Sequence, residues 1–115
     1  MRKISGQITC EGKKEIPDGA VATISVIDCG RMDAPSITLG KQEIKDPKSF
    51  PIQFEIEYDD SFLKAEGFHG RYLMQARIET NGKLNFINDT SFSIVSDHAT
   101  RKLADTKDFH VIVVN

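Results

Sequence analysis

The sequence predicts an all-β fold: a single β-sandwich of seven to nine mostly antiparallel strands, with immunoglobulin-like or transthyretin-like packing. Three observations predict it. Apolar and polar residues alternate with a period of two, turn-forming residues separate the alternating runs, and the runs recur at the short spacing typical of sandwiches. Because the chain has 115 residues, the usual size of one domain, we expect a single domain spanning residues 1–115.

The composition is that of an ordered globular chain. Hydrophobic residues make up 39% and charged residues 28%, which excludes disordered and collagen-like classes. The 15 Lys and Arg are balanced by 17 Asp and Glu, whereas a nucleic-acid-binding domain of this size normally has a basic excess. No apolar run approaches the ~20 residues of a membrane-spanning helix. We therefore predict no nucleic-acid partner and no membrane span in this chain.

The clearest predicted strand runs from Phe50 to Tyr58, where apolar residues occupy every even position and polar residues occupy the odd positions from 53 onward, which predicts one buried and one solvated face. The final run, Phe109 to Val114, is apolar at almost every position, so we expect this strand to be covered on both faces. The other predicted strands are Ile4–Cys10, Ala22–Val26, Ile37–Leu39, Tyr72–Ile78, Leu84–Phe86 and Phe92–Ile94.

Two stretches do not alternate. The segment from Asp59 to Gly67 has capping residues first, helix formers next and glycine last, which predicts one or two helical turns. The polar segment from Asp97 to Lys107 predicts a loop with a helical turn at 101–104.

The turn at Asn81-Gly82 predicts how two strands pair. A two-residue loop would place Ile78 opposite Asn85, mixing apolar and polar side chains on one face. A three-residue loop, Thr80–Gly82, places Ile78 opposite Leu84 instead, so that the apolar faces match. We therefore predict the three-residue loop.

The two cysteines, Cys10 and Cys29, fall out of phase with each other. If strands 3–10 and 20–28 form a hairpin, the two side chains lie at opposite ends and on opposite faces, too far apart for a disulfide. We expect two free thiols, which suits a reducing compartment. With no second cysteine pair, the sequence does not support a zinc site.

Catalytic and metal-binding patterns are weak. The acidic row Glu55, Glu57 and Asp59 has the residue types of a calcium site or an acid-base pair, but strand alternation favours a solvated face. The histidines at 69, 98 and 110 have no metal-binding spacing, and Ser96-Asp97-His98 is too local to form a catalytic triad. We predict no catalytic residue, no metal, no cofactor and no enzymatic activity.

Five residues are candidates for binding. Asp28 is in phase with inward apolar residues and begins a loop that contains Arg31 and Asp33. We interpret Asp28 as bonded to its own loop, with a ligand contact as the alternative. Leu73 and Ile87 point outward from their strands and are candidates for an apolar contact with a partner, although we favour burial under a neighbouring loop.

An ordered set of short motifs resembles the YbaY-type lipoproteins, which are grouped with the YscW-type type III secretion pilotins. The resemblance covers the chain from Gly6 to about Val95. Its motifs are Gly6, Ile16-Pro17-Asp18-Gly19-Ala20, Ile24-x-Val26-x-Asp28, Arg31-x-Asp33-Ala34-Pro35, Pro51-Ile52-x-Phe54-x-Ile56-x-Tyr58-Asp59, Tyr72-x-Met74-x-Ala76-Arg77-Ile78 and Gly82-x-Leu84-x-Phe86-x-Asn88-Asp89.

The resemblance implies a compact β-sandwich on a lipid anchor in a bacterial outer membrane. It also implies a pilotin role, in which the protein binds a secretin subunit and helps it reach and assemble in the membrane. No catalytic residue belongs to the family. Asp28, Arg31 and Asp33 match the family's loop positions, and we expect them to shape that loop.

The chain departs from the family at its N-terminus. Basic residues occur there without an apolar run, and the one early cysteine, Cys10, is preceded by Gln7-Ile8-Thr9, which is no lipobox. We therefore expect either a cytoplasmic chain or one whose leader has been removed, while the resemblance implies the bacterial envelope.

The predicted function is a non-enzymatic protein-interaction module of pilotin or chaperone type. Its partner would be a peptide of a secretin subunit or of another envelope protein, bound by apolar contact or by strand addition. The alternative is a soluble β-sandwich that binds a small ligand or a carbohydrate. The absence of Trp and the presence of only 2 Tyr argue against sugar stacking.

Overall fold

The computed structural model describes residues 2–11, 15–29, 37–61, 71–88, 92–97 and 102–114. These residues confirm the all-β class and contain ten strands, more than the seven to nine predicted, because several are very short. The strands are β1 (Arg2–Cys10), β2 (Val21–Asp28), β3 (Ile37–Lys45), β4 (Ile52–Tyr58), β5 (Tyr72–Thr80), β6 (Lys83–Asn88), β7 (Phe92–Ser93), β8 (Val95–Asp97), β9 (Lys102–Leu103) and β10 (Thr106–Val113).

Eight of the strands form one continuous sheet. Seven follow the order β3-β2-β5-β6-β10-β1-β4, and β7 pairs with β5. Neighbouring strands are antiparallel except β1 and β10, which are parallel. Strands β8 and β9 form a separate two-stranded sheet. The prediction of mostly antiparallel strands agrees with this arrangement.

The two edges of the large sheet meet. The backbone N–H of Asp59, just after β4, donates to the carbonyl oxygen of Leu39 in β3 at 3.0 Å. The N–H of Glu55 donates to the side-chain Oε1 of Gln42 at 3.0 Å. The sheet is therefore a nearly closed barrel, because its twist brings β3 to β4. It is not clearly a sandwich, and immunoglobulin-like or transthyretin-like packing is not confirmed.

A single hydrophobic core fills the barrel. On β4 the predicted alternation is confirmed, with every even position from Ile52 to Tyr58 buried and every odd position exposed. Phe109 of β10 packs near the rings of Phe54 and Phe92, with centroid distances of 5.8 and 6.3 Å. The largest fully buried side chains are Tyr58, Phe109, Ile4, Ile8, Ile24, Ile56, Met74, Ile78, Ile94, Val26 and Val111.

The β5–β6 hairpin differs from the prediction. Thr80 pairs with Lys83, so the loop is the two-residue turn Asn81-Gly82, whose residues both have positive φ, 52° and 80°. The predicted three-residue loop is wrong. A register shift next to Ile78 then places it opposite Phe86, so a β-bulge restores the match of apolar faces that the longer loop was expected to supply.

Strands 3–10 and 20–28 do not form the hairpin that was assumed in placing the two cysteines. Strand β1 lies between β10 and β4, whereas β2 lies between β3 and β5. Both cysteines are nevertheless free, as expected. Cys10 is in register with Val111 of β10, and Cys29 hydrogen-bonds the carbonyl oxygen of Arg71 through its backbone N–H at 2.9 Å.

The two predicted helical segments have different outcomes. The turn expected at 101–104 is replaced at Lys102–Leu103 by strand β9, whose Leu103 pairs with Val95 and is buried. Residues 62–67 of the other predicted helical segment lie outside the described residues.

Tyr58 is fully buried at the end of β4, and its hydroxyl has no hydrogen-bond partner among the residues that the structure describes. Loss of solvent around the phenol raises the pKa of Tyr58 to about 12, from an ordinary value of 10.0. The folded chain therefore holds the phenol proton at a pH where the unfolded chain has released it.

We expect this difference to lower the stability of the protein above about pH 10. In that range the unfolded state is stabilised by releasing the phenol proton, whereas the folded state still holds it. Between about pH 9 and about pH 11, the free energy of unfolding should fall by about 1 kcal/mol more in the natural chain than in Tyr58→Phe. Urea unfolding across this range measures the difference. Tyr72→Phe is the control and should keep the steep fall, and identical pH slopes in Tyr58→Phe and the natural chain would contradict the prediction.

Candidate protein-binding surface

Four exposed large hydrophobic side chains lie together where β10 ends beside β6. They are Ile87, Ile112, Val113 and Val114, with 37%, 47%, 42% and 44% of their surface exposed. Ile112 is directly opposite Ile87 in the β6–β10 ladder, so the two side chains share the outer face. We call these four residues the C-terminal apolar surface.

The backbone holds this surface in place. Beyond the last residue of β10, the N–H of Val114 still donates to the carbonyl oxygen of Asn85 in β6 at 2.9 Å. By strand alternation, Val114 lies on the same outer face as Ile112, whereas Val113 lies on the inner face at the open end of the strand. The apolar surface thus wraps around the end of β10.

A cavity of about 250 Å³ adjoins the C-terminal apolar surface and shares Ile112 and Val113 with it. The other lining residues are Cys10, Glu11, His110 and Val111. The β1–β10 ladder ends at Cys10 and Val111, while β10 continues to Val113. The cavity lies at this step between the two strand ends.

Charged groups flank the apolar residues on both sides. On β5, Arg77 is in register with Ile87, and its Nε lies 2.6 Å from Oε1 of Glu79. On the opposite side, Glu11 and His110 line the cavity. An apolar centre with a polar rim is the usual composition of a protein-protein contact.

The structure separates the two predicted apolar candidates. Ile87 belongs to the C-terminal apolar surface. Leu73 is half-buried on β5, opposite Ile27 of β2 and Ser93 of β7, and so lies several residues along β5 from the partner of Ile87. Leu73 is therefore no part of the same surface.

Of the predicted loop residues, only Asp28 is described. It is half-buried at the end of β2, in register with Ile37 of β3 and Tyr72 of β5. Arg31 and Asp33 lie outside the described residues. The role predicted for them stays a prediction.

Three residues of the surface were missed by sequence reasoning. The unbroken apolar run that ends the chain predicted a strand covered on both faces, and this is wrong for Ile112, Val113 and Val114. The sequence carried no signal for this exposure, because an unbroken apolar run is typical of a strand covered on both faces.

The predicted acidic row is a solvated face. Glu55 and Glu57 are exposed, and Glu55 Oε1 lies 3.5 Å from Nζ of Lys3. The carboxylate of Asp59 accepts a hydrogen bond from the N–H of Ser61 at 2.9 Å, which lowers the pKa of Asp59. Within the described residues, no three His, Cys, Asp or Glu side chains are grouped to hold a metal ion. In the same part of the chain, no helix is both long and apolar enough to cross a bilayer.

Comparison with known proteins gives a consistent result. Residues 1–104 match the family described as "Type III secretion system lipoprotein chaperone (YscW)". An uncharacterized lipoprotein, YbaY of Escherichia coli K12, is 28% identical over 99 residues, an alignment that covers 85% of this chain and 50% of that protein. This chain thus spans about half the length of that curated relative.

A solved structure resembles the whole barrel. It is described as an alternative pilotin from the type II secretion system of Vibrio cholerae. It superimposes with a TM-score of 0.79 at 30% sequence identity, over 99% of this chain and 97% of that one.

Proposed function

Because this chain belongs to the YscW family of type III secretion lipoprotein chaperones, we propose that it acts as a pilotin-like, non-enzymatic chaperone in the bacterial envelope. Its partner in this proposal is a secretin subunit, held on the C-terminal apolar surface. The family match and the likeness to a solved pilotin support the chaperone role. The observation that supports binding of the partner at the C-terminal apolar surface is a cluster of exposed apolar side chains at one end of the barrel. They are Ile87, Ile112, Val113 and Val114.

Apolar contact on the sheet face fits this surface better than strand addition. Strand β10 pairs with β1 from Thr106 to Val111 and with β6 from Val111 to Val113, so at this surface only the short segment Ile112–Val113 lacks a ladder partner, on the β1 side. The sheet's two terminal strands, β3 and β4, meet each other. A partner at the C-terminal apolar surface therefore contributes side chains that cover the exposed isoleucines and valines, which stabilises the complex by removing apolar area from water.

Binding of a small ligand or a carbohydrate is the alternative, and the cavity of about 250 Å³ is the observation that favours it. None of its described lining residues is Phe, Tyr or Trp, so this part of the chain offers no such ring for a sugar to stack on. A thermal-shift screen of sugars and small metabolites separates the two functions, because only the alternative expects a rise in Tm.

The proposed function is tested with the double variant Ile87→Ser/Ile112→Ser. Purified secretin subunits of the source organism are titrated against the immobilised chain. We expect the variant to bind about tenfold more weakly or worse, because two apolar side chains of the contact are lost. Ile37→Ser is the matched control, since Ile37 is 42% exposed but lies on β3, away from the surface.

The outcomes separate the parts of the proposal. If the double variant binds a secretin subunit as tightly as the natural chain does, the C-terminal apolar surface is not the binding site. If no secretin subunit binds the natural chain, the pilotin role itself is wrong. Circular dichroism melting of the natural chain and of both variants shows whether each one is folded.

A further inference from the structure

No further inference is drawn: the strongest candidate, the seam where β3 meets β4 and the side chain of Gln42 accepts the N–H of Glu55 in place of a main-chain oxygen, is closed by the hydrogen bonds already described, and nothing in the structure shows what would occupy it.

Discussion

Replacing Gly6 with alanine is expected to lower the free energy of unfolding by ~3 kcal/mol or more, at the upper end of what overpacking costs. A Cβ at Gly6 would lie 1.7 Å from the carbonyl oxygen of Lys107 and 3.1 Å from Cζ of Phe54. Because the first neighbour is backbone of β10, it cannot rotate away. Strand β1 would have to shift away from β10, which is its parallel neighbour in the middle of the sheet.

Urea unfolding measures this loss. Gly82→Asn is the matched control, because a Cβ at Gly82 meets no atom within 4 Å and Asn tolerates its positive φ of 80°. The control should lose well under ~1 kcal/mol. Equal losses in the two variants would show that the tight β1–β10 approach is unimportant for stability.

Replacing Gly40 with alanine is expected to open the barrel where its edges meet, at a cost of about 1–3 kcal/mol. A Cβ at Gly40 would lie 2.4 Å from the carbonyl oxygen of Glu57 and 2.8 Å from Cα of Tyr58. Both are backbone atoms of β4, so β3 must move outward. The nearby hydrogen bond from the Asp59 N–H to the Leu39 oxygen should then weaken.

Amide hydrogen exchange tests this opening at single residues. In Gly40→Ala the amide of Asp59 should exchange much faster, while amides of the β2–β5 ladder should keep their relative protection. Uniform loss of protection across the sheet would mean that the variant is only less stable and that the edge contact is not a separate local feature.

Sequence patterns correctly predicted the structural features that depend only on residues close together in the chain. The alternation from Ile52 to Tyr58 predicted which side chains of β4 are buried, because the period of a strand assigns faces without knowledge of its partners. Asn81-Gly82 predicted a turn for the same reason. The bulge next to Ile78 was missed, because its benefit arises from a match across the sheet.

The sequence did not predict which strands pair when they are far apart in the chain. Nothing in the residues around Cys10 shows that β1 pairs with β10, about a hundred positions away, rather than with β2. The same lack of partners concealed most of the candidate site. Ile87 was predicted from its outward phase, but Ile112 was taken as covered, and the two become neighbours only through the β6–β10 ladder.

The place of β10 in the sheet determines when the sheet can be completed during synthesis. In the strand order β3-β2-β5-β6-β10-β1-β4, strand β10 follows every other described strand along the chain, yet it links one group of four strands to the pair β1–β4. A nascent chain that still lacks Thr106–Val113 holds its first strand without that central neighbour. Such long-range pairing delays folding. The ladders of the large sheet are therefore complete only once β10 has been synthesised, because β10 joins β6 to β1.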